Sequence, residues 1–341
     1  MQSQVLYRKY RPQSFDDLVG QDDIVTLLRQ AIKSKTISHA YLFVGPRGVG
    51  KTSTARIFAK ELKISDKDVY ELDAASNRKI DDFRALNESV FALPFESEKK
   101  LYIIDEVHML TNEAFNAFLK TLEEPPEHVI FILATTEFDK IPDTIKSRCQ
   151  VLFFKKAGIS DIKSLIKKVA EKEGYTISNS ALEFLAFVSD GSYRDALSIL
   201  QKVISKSDSS AIKLEDAEAI SGAPPLTTAL ELLEALALSD SVNAFESVKK
   251  IENAHHDIRL FYDLLLKLLR EIIYLRYGEN TEELKLQYAD DFFARMQKVS
   301  KSQNMNSRLL KIFLDNMQYM PYAKQKALVL ELVLAEFFDN L

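Results

Sequence analysis

The stretch GPRGVGKT, from Gly45 to Thr52, combines three glycines, a lysine and a hydroxyl side chain in the spacing of a phosphate-binding loop. With no Cβ at Gly45, Gly48 and Gly50, backbone N–H groups can crowd around phosphate oxygens, and a helix starting there adds positive potential. Lys51 has the length to reach β- and γ-phosphates, and Thr52 offers the hard oxygen that the Mg²⁺ accompanying ATP takes. The whole loop, Gly45, Pro46, Arg47, Gly48, Val49, Gly50, Lys51, Thr52 and Ser53, is the expected nucleotide cradle.

Two later stretches carry the rest of that chemistry. LYIIDEVHML delivers Asp105 and Glu106 to the end of a strand-like run, where Asp105 would complete the Mg²⁺ shell and Glu106 would position and polarise the attacking water. HVIFILATTEF ends in Thr135 and Thr136; a hydroxyl there can orient the water or sense the γ-phosphate, with Thr136 preferred and Thr135 in reserve. Alone, the acidic pair reads as a solvated strand end and the threonine as β-propensity. Behind a phosphate loop they read as one site.

Such a site needs a scaffold that brings three strand ends together. The runs SHAYLFVG, VYELDA, LYIIDE, HVIFILATT and QVLFF, separated by helix-length segments, predict an α/β domain whose mostly parallel sheet is covered on both faces. After Gly158 the strand signal stops, and ISDIKSLIKKVAEKEG, with Ser160 as N-cap candidate and Gly174 as stop, opens a compact helical group. SGAPPL, from Ser221 to Leu226, reads as a linker. Beyond it, stretches such as FYDLLLKLLREIIYL suit a packing or oligomerisation bundle. The expected organisation is a nucleotide-binding domain over 1–158, a helical lid over 159–221 and an all-α domain over 222–341.

Composition narrows the function classes. With 341 residues, 46% hydrophobic and 28% charged, the chain has material for two or three packed domains. A net charge of -5 argues against a uniformly basic coat, so any DNA contact must be a local patch. No apolar run reaches the roughly 18 residues of a membrane span, and MQSQVLYRKYRPQSF lacks the apolar core of a signal peptide, so a cytoplasmic location without membrane contact is expected. Cys149 is the only cysteine, which excludes an internal disulfide, and no Cys/His cluster has zinc spacing. The adjacent His255 and His256 read as a solvated pair.

The head YRKYRPQSFDDLVGQ, the loop GPRGVGKTS and the blocks ELDAASNRKIDD, FNAFLKTLEEPP, ATTEFDKIPDTIKSRCQ and GSYRDALSILQ occur in the order seen in clamp-loader AAA+ ATPases. Over residues 4–205 the chain resembles the bacterial DNA polymerase III gamma/tau subunits, with replication factor C small subunits as relatives; beyond that, only helical character and length are shared. The resemblance implies an AAA+ P-loop NTPase domain, a lid and a C-terminal collar, with ATP and Mg²⁺ as cofactors. It implies that Arg148 of the SRC motif is an arginine finger reaching the γ-phosphate on a neighbouring subunit. The bland alternative is an arginine that caps a helix end through a surface ion pair.

By the same resemblance, Arg194 in GSYRDAL is a sensor 2 contact from the lid to the nucleotide, and Arg11, Pro12 and Val19 lie against adenine. Arg78, Lys79, Arg84, Thr111 and Asn112 are candidates to track DNA phosphates, set against the ordinary abundance of exposed basic residues. Phe91 and Leu93 read equally well as a clamp-touching tip and as core. The implied partners are delta, delta-prime and further gamma/tau copies, a sliding clamp and primed DNA.

Two departures stand out. The four-cysteine zinc module usual in this family is missing from ELKISDKDVYELDAASN, so no zinc is expected. The chain ends at Leu341, before the polymerase- and helicase-binding extensions of a long tau form, which fits either a short form or a truncation. The leading function is an ATPase subunit that opens a sliding clamp and places it on primed DNA, with hydrolysis releasing the clamp. The alternatives are another AAA+ DNA-remodelling motor and a non-hydrolysing scaffold subunit, with a metabolic P-loop kinase the weakest. Intact Lys51, Thr52, Asp105 and Glu106 argue against the scaffold.

Overall fold

The computed structural model describes residues 5–76, 86, 89–207, 209–221, 223–279 and 281–340. They fall into two compact units, one of residues 1–165 with 189–198, the other of 166–188 with 199–341. The candidates Arg78, Lys79 and Arg84 lie outside the described residues.

The first unit is built on five parallel strands: β1 (Ala40–Val44), β2 (Val69–Asp73), β3 (Lys100–Asp105), β4 (Val129–Thr135) and β5 (Gln150–Phe153), in the order β2-β3-β4-β1-β5. The three inner strands are almost wholly buried, which is why they read as unbroken apolar runs rather than alternating ones. Alternation shows instead in which face each side chain serves. Tyr41, Phe43, Leu101, Ile103, Ile130 and Ile132 form one core, against α2 (Asp22–Ser34), which follows the short α1 (Leu6–Lys9), and α3 (Lys51–Glu61). Leu42, Val44, Tyr102, Ile104, Phe131 and Leu133 form the other, against α4 (Asn112–Glu123) and α5 (Asp143–Lys146). Within it Phe118 of α4 meets Phe131 edge-on at a centroid distance of 5.1 Å, a geometry that adds about 0.5–1.5 kcal/mol to the burial of both rings.

Parallel strands put all their carboxyl ends on one edge, where a doubly wound sheet opens a crevice. In register, Val44 pairs with Thr135 and Ile104 with Leu133, so the residues following β1, β3 and β4 converge at one point. A backbone hydrogen bond from Gly45 N–H to Thr135 O, 3.1 Å long, ties the first loop to the third strand end. The head is clipped to the sheet by Gln21, buried, whose side-chain amide donates to Lys155 O and accepts from Lys155 N–H.

Helix α6 (Ile159–Lys172) begins two residues earlier than the Ser160 cap predicts. The Gly158 carbonyl receives the N–H groups of Asp161 and Ile162, which puts Ser160 inside the first turn. Gly174 ends it as expected, at φ +86°. The strand signal does not stop entirely: the second unit contains two-residue strands β6 (Thr176–Ile177) and β7 (Ala211–Ile212), paired in parallel and too short to leave a periodic signature. The same unit carries α7 (Asn179–Val188), while α8 (Tyr193–Lys206) runs from the first unit into it, and α9 (Leu214–Ser221) follows.

After the SGAPPL stretch comes a helical bundle: α10 (Leu226–Ala237), α11 (Ser241–Asn253), α12 (Ile258–Arg276), α13 (Thr281–Gln287), α14 (Asp290–Ser300), α15 (Ser307–Met317) and α16 (Ala327–Asp339). Its longest helix, α12, buries Phe261, Tyr262, Leu265, Leu268, Leu269 and Ile272 on one face, and the Tyr262 hydroxyl donates to the Phe313 carbonyl at 2.5 Å. No described helix is long and apolar enough to cross a membrane.

Candidate active site

The loop after β1 turns into α3 at Gly50, whose φ of +107° caps the helix. Lys51 is 6% exposed, and its ammonium donates to Gly45 O at 2.7 Å and Pro46 O at 2.9 Å, so the lysine spans the loop it is expected to close. Burial lowers its pKa, Asp105 and Glu106 oppose that, and Arg194 adds to it. The side chain therefore lies within electrostatic reach of two carboxylates and one guanidinium. Val49 is 1% exposed and packs into the core, leaving only its backbone to face a ligand, whereas the Arg47 side chain is exposed.

At the end of β3, Asp105 Oδ2 accepts from Thr52 Oγ1 at 2.8 Å, and Asp105 Oδ1 accepts from Glu106 N–H at 3.0 Å. A hydroxyl and a carboxylate at that spacing are the hard oxygen donors suited to Mg²⁺, which takes few protein ligands and fills the rest with phosphate and water. The residues present fit the ion, with Thr52 and Asp105 as its holders.

Glu106 has a left-handed backbone, φ +49° and ψ +43°, which costs a non-glycine residue about 1–3 kcal/mol and is characteristic of functional sites. Its Oε2 accepts from Thr136 Oγ1 at 3.2 Å. Of the two threonines ending the β4 run, Thr136 is therefore the one in contact with the Glu106 carboxylate. Thr135 is fully buried, with its hydroxyl on His108 Nδ1 at 3.0 Å.

A second group of residues gathers on the other side of the loop. Ser192 and Arg194 approach Gly48 so closely that a β-carbon there would lie 2.1 Å from Ser192 Oγ and 3.2 Å from Arg194 Cβ. Tyr193 N–H donates to Gly48 O, and the Tyr193 hydroxyl donates to Val19 O at 2.7 Å. Arg11 joins the cluster: burial lowers its pKa first, and Arg56 and Arg194 lower it further, while Glu71 raises it. Three of the candidate cations, Lys51, Arg194 and Arg11, are thus linked by mutual repulsion around a glycine loop, an arrangement that a polyanion relieves.

The remaining sequence candidates lie apart from this cluster. Arg148 donates to Thr144 O at 2.7 Å and to Glu123 Oε1 at 2.5 Å, and among the described residues it shares no contact with Lys51, Asp105, Glu106 or Thr136. In the single chain it therefore has the geometry of a helix-end cap with an ion pair. Thr111 caps α4 by accepting from Ala114 N–H, and both Thr111 and Asn112 are exposed. Phe91 and Leu93 are 64% and 79% exposed, so both face solvent, joined by Phe95 at 75%. Sequence reasoning missed His108, Gln21 and Ser192, whose parts depend on turns and close approaches that residue type does not signal.

Known proteins share this organisation. A family model described as "DNA polymerase III, delta subunit" matches residues 20–73 and 63–158. One for the ATPase lid domain of the DNA polymerase III clamp loader subunit matches 161–209, and one for domain III of the DNA polymerase III subunits gamma and tau matches 212–338. DNA polymerase III subunit tau of Bacillus subtilis is 42% identical over 296 residues, covering 80% of this chain and 52% of that protein. DNA polymerase III subunit gamma of Buchnera aphidicola is 34% identical over 327 residues, covering 90% of this chain and 88% of its own. The chain spans about half the length of the tau relative from Bacillus subtilis. Among solved structures, the RuvB Holliday junction branch migration motor of Thermotoga maritima superposes with a TM-score of 0.52 at 23% identity, covering 67% of this chain and 79% of that one, a likeness of fold.

Proposed function

This chain belongs to the gamma/tau subunit family of bacterial DNA polymerase III, and from that premise we propose that it is an ATP-hydrolysing subunit of a clamp loader. ATP binding would hold a sliding clamp open for placement on primed DNA, and hydrolysis would release it. The observation that carries the reading is the contact chain Thr52–Asp105–Glu106–Thr136 beside a buried Lys51. A scaffold subunit without hydrolysis has no use for a strained glutamate held by a strand-end hydroxyl.

In this mechanism the backbone of the Gly45–Ser53 loop binds the phosphates, and Lys51 turns from the loop carbonyls to the β- and γ-phosphates. Thr52 and Asp105 would hold Mg²⁺, which would supply positive charge to offset that of the phosphates. Glu106 orients and polarises the water, and Thr136 fixes which way its carboxylate faces. Arg194 reads the phosphates from the first turn of α8, while Arg11, Pro12 and Val19 bound the base. Arg148 acts in trans: leaving Glu123 for a neighbour's γ-phosphate exchanges one charge-assisted pair for another, so assembly and hydrolysis are coupled. Delta and delta-prime subunits and further copies of this chain would complete the ring. Thr111 and Asn112 would face the primed DNA. The three domains proposed are 1–158, 159–221 and 222–341.

The test is steady-state ATP hydrolysis by the purified chain, alone and with delta, delta-prime, sliding clamp and primed DNA. Strong stimulation that requires both clamp and primed DNA is expected. Equal stimulation by any branched DNA without a clamp would instead favour a remodelling motor, and no hydrolysis in any mixture a scaffold.

A further inference from the structure

We propose that His108 is a positioning residue for Glu106, an inference that rests on the ATPase reading and goes beyond it. The left-handed turn at Glu106 opens a single 3-10 turn, Val107–Met109, that folds the imidazole back beneath the strand ends, where the side chain is 6% exposed. Both ring nitrogens are engaged. Nε2 lies 3.2 Å from Glu137 Oε1, and Nδ1 lies 3.0 Å from Thr135 Oγ1.

An ionised carboxylate oxygen only accepts, so Nε2 donates to Glu137. Thr135 Oγ1 also accepts from Glu137 N–H at 3.0 Å, which ties the hydroxyl that meets Nδ1 to the same turn. Glu137 is anchored from the other side by Lys140 Nζ, 2.8 Å from Oε2, which holds its carboxyl below the usual range together with the more distant His108. Lys140, Glu137, His108 and Thr135 thus form one connected chain of polar contacts.

Nδ1 also faces Glu106 Oε2, at 3.5 Å. The same Oε2 accepts from Thr136 on its other side. The ring is thus a wall behind the carboxylate. It denies the side chain room to fold inward. The two threonines divide the work, Thr136 holding Glu106 directly and Thr135 holding it through the imidazole.

The experiment uses the assembled loader with clamp and primed DNA, and compares wild type, His108→Leu, His108→Gln, Glu106→Gln and the His108→Leu/Glu106→Gln double variant. A glutamine amide can donate to Glu137 and accept from Thr135, so it reproduces the wall that leucine loses. His108→Leu is expected to lower kcat about 10- to 100-fold, the cost of an ångström-scale misplacement, with KM for ATP within about twofold of wild type. His108→Gln should recover most of that loss. In the Glu106→Gln background His108→Leu should cost nothing further, because the two act as a unit. Wild-type kcat in His108→Leu, a loss that glutamine does not rescue, or a loss that adds in full to Glu106→Gln overturns the inference. A wild-type loader that hydrolyses no ATP overturns the ATPase reading itself, so the two failures are distinguishable.

Discussion

Gly48→Ala tests the close approach on which the nucleotide pocket depends. Gly48 has φ +78°, where an alanine costs about 1–2 kcal/mol more than glycine. Its new methyl would sit 2.1 Å from Ser192 Oγ, so that hydroxyl must swing away. Ser192 is buried, and its Oγ accepts Asp195 N–H at 3.2 Å, capping α8; losing a cap costs about 1 kcal/mol. The sum is about 2–3 kcal/mol, or a fall of about 4–12 °C in the thermal midpoint of a unit of this size. Gly174→Ala is the control, because φ there is +86° and nothing lies within 4 Å of the added carbon, so only the strain remains. The assay is thermal unfolding followed by circular dichroism, with ATP affinity measured by fluorescent nucleotide displacement. Gly48→Ala should cost about 1 kcal/mol more than Gly174→Ala, should lose that excess in a Ser192→Gly background, and should weaken ATP binding. Equal costs at the two glycines with unchanged ATP affinity would refute the packing of Ser192 on the loop.

Three further outcomes are expected. Thr136→Val, which removes the donor to Glu106, should lower kcat about tenfold without changing KM; Thr135→Val, which frees His108, should lower kcat as well and in addition cost about 1–3 kcal/mol of stability, since it strips partners from buried groups. Arg148→Ala should bind ATP normally and change stability by less than about 1 kcal/mol, because its pair with Glu123 is partly solvated, yet lose clamp- and DNA-stimulated hydrolysis in the loader; retained stimulation would remove the trans role. Burial pushes the Cys149 thiol up to about 12, so at pH 8 almost none is thiolate, and a thiol-specific reagent should label it slowly until denaturant unfolds the chain. Rapid native labelling would show that the residue is not enclosed.

The sheet was legible because burial on both faces turns inner parallel strands into continuous apolar runs. Even the edge strand β2, with its exposed Glu71 and Asp73, shows as VYELD between helical segments. Asp105, Glu106 and Thr136 were legible because each follows such a run, and a strand end is a defined place. His108 was not, since its position depends on the left-handed backbone at Glu106, a conformation that glutamate does not advertise. Glu123, in α4, is brought to Arg148 only by tertiary packing across 25 residues. The Ser160 cap failed because the Gly158 carbonyl starts the helix without a side chain. Phe91 and Leu93 were ambiguous in sequence because an apolar pair near a helix end carries the same pattern whether covered or bare.

The most direct test of the central claim is a single-turnover measurement of ATP bound to the assembled loader, wild type against Glu106→Gln. If Glu106 polarises the attacking water, the variant should bind ATP as tightly as wild type while its hydrolysis step slows by at least about 100-fold. Hydrolysis at the wild-type rate in Glu106→Gln would contradict the assignment of the β3 strand end as the place where the chemistry occurs.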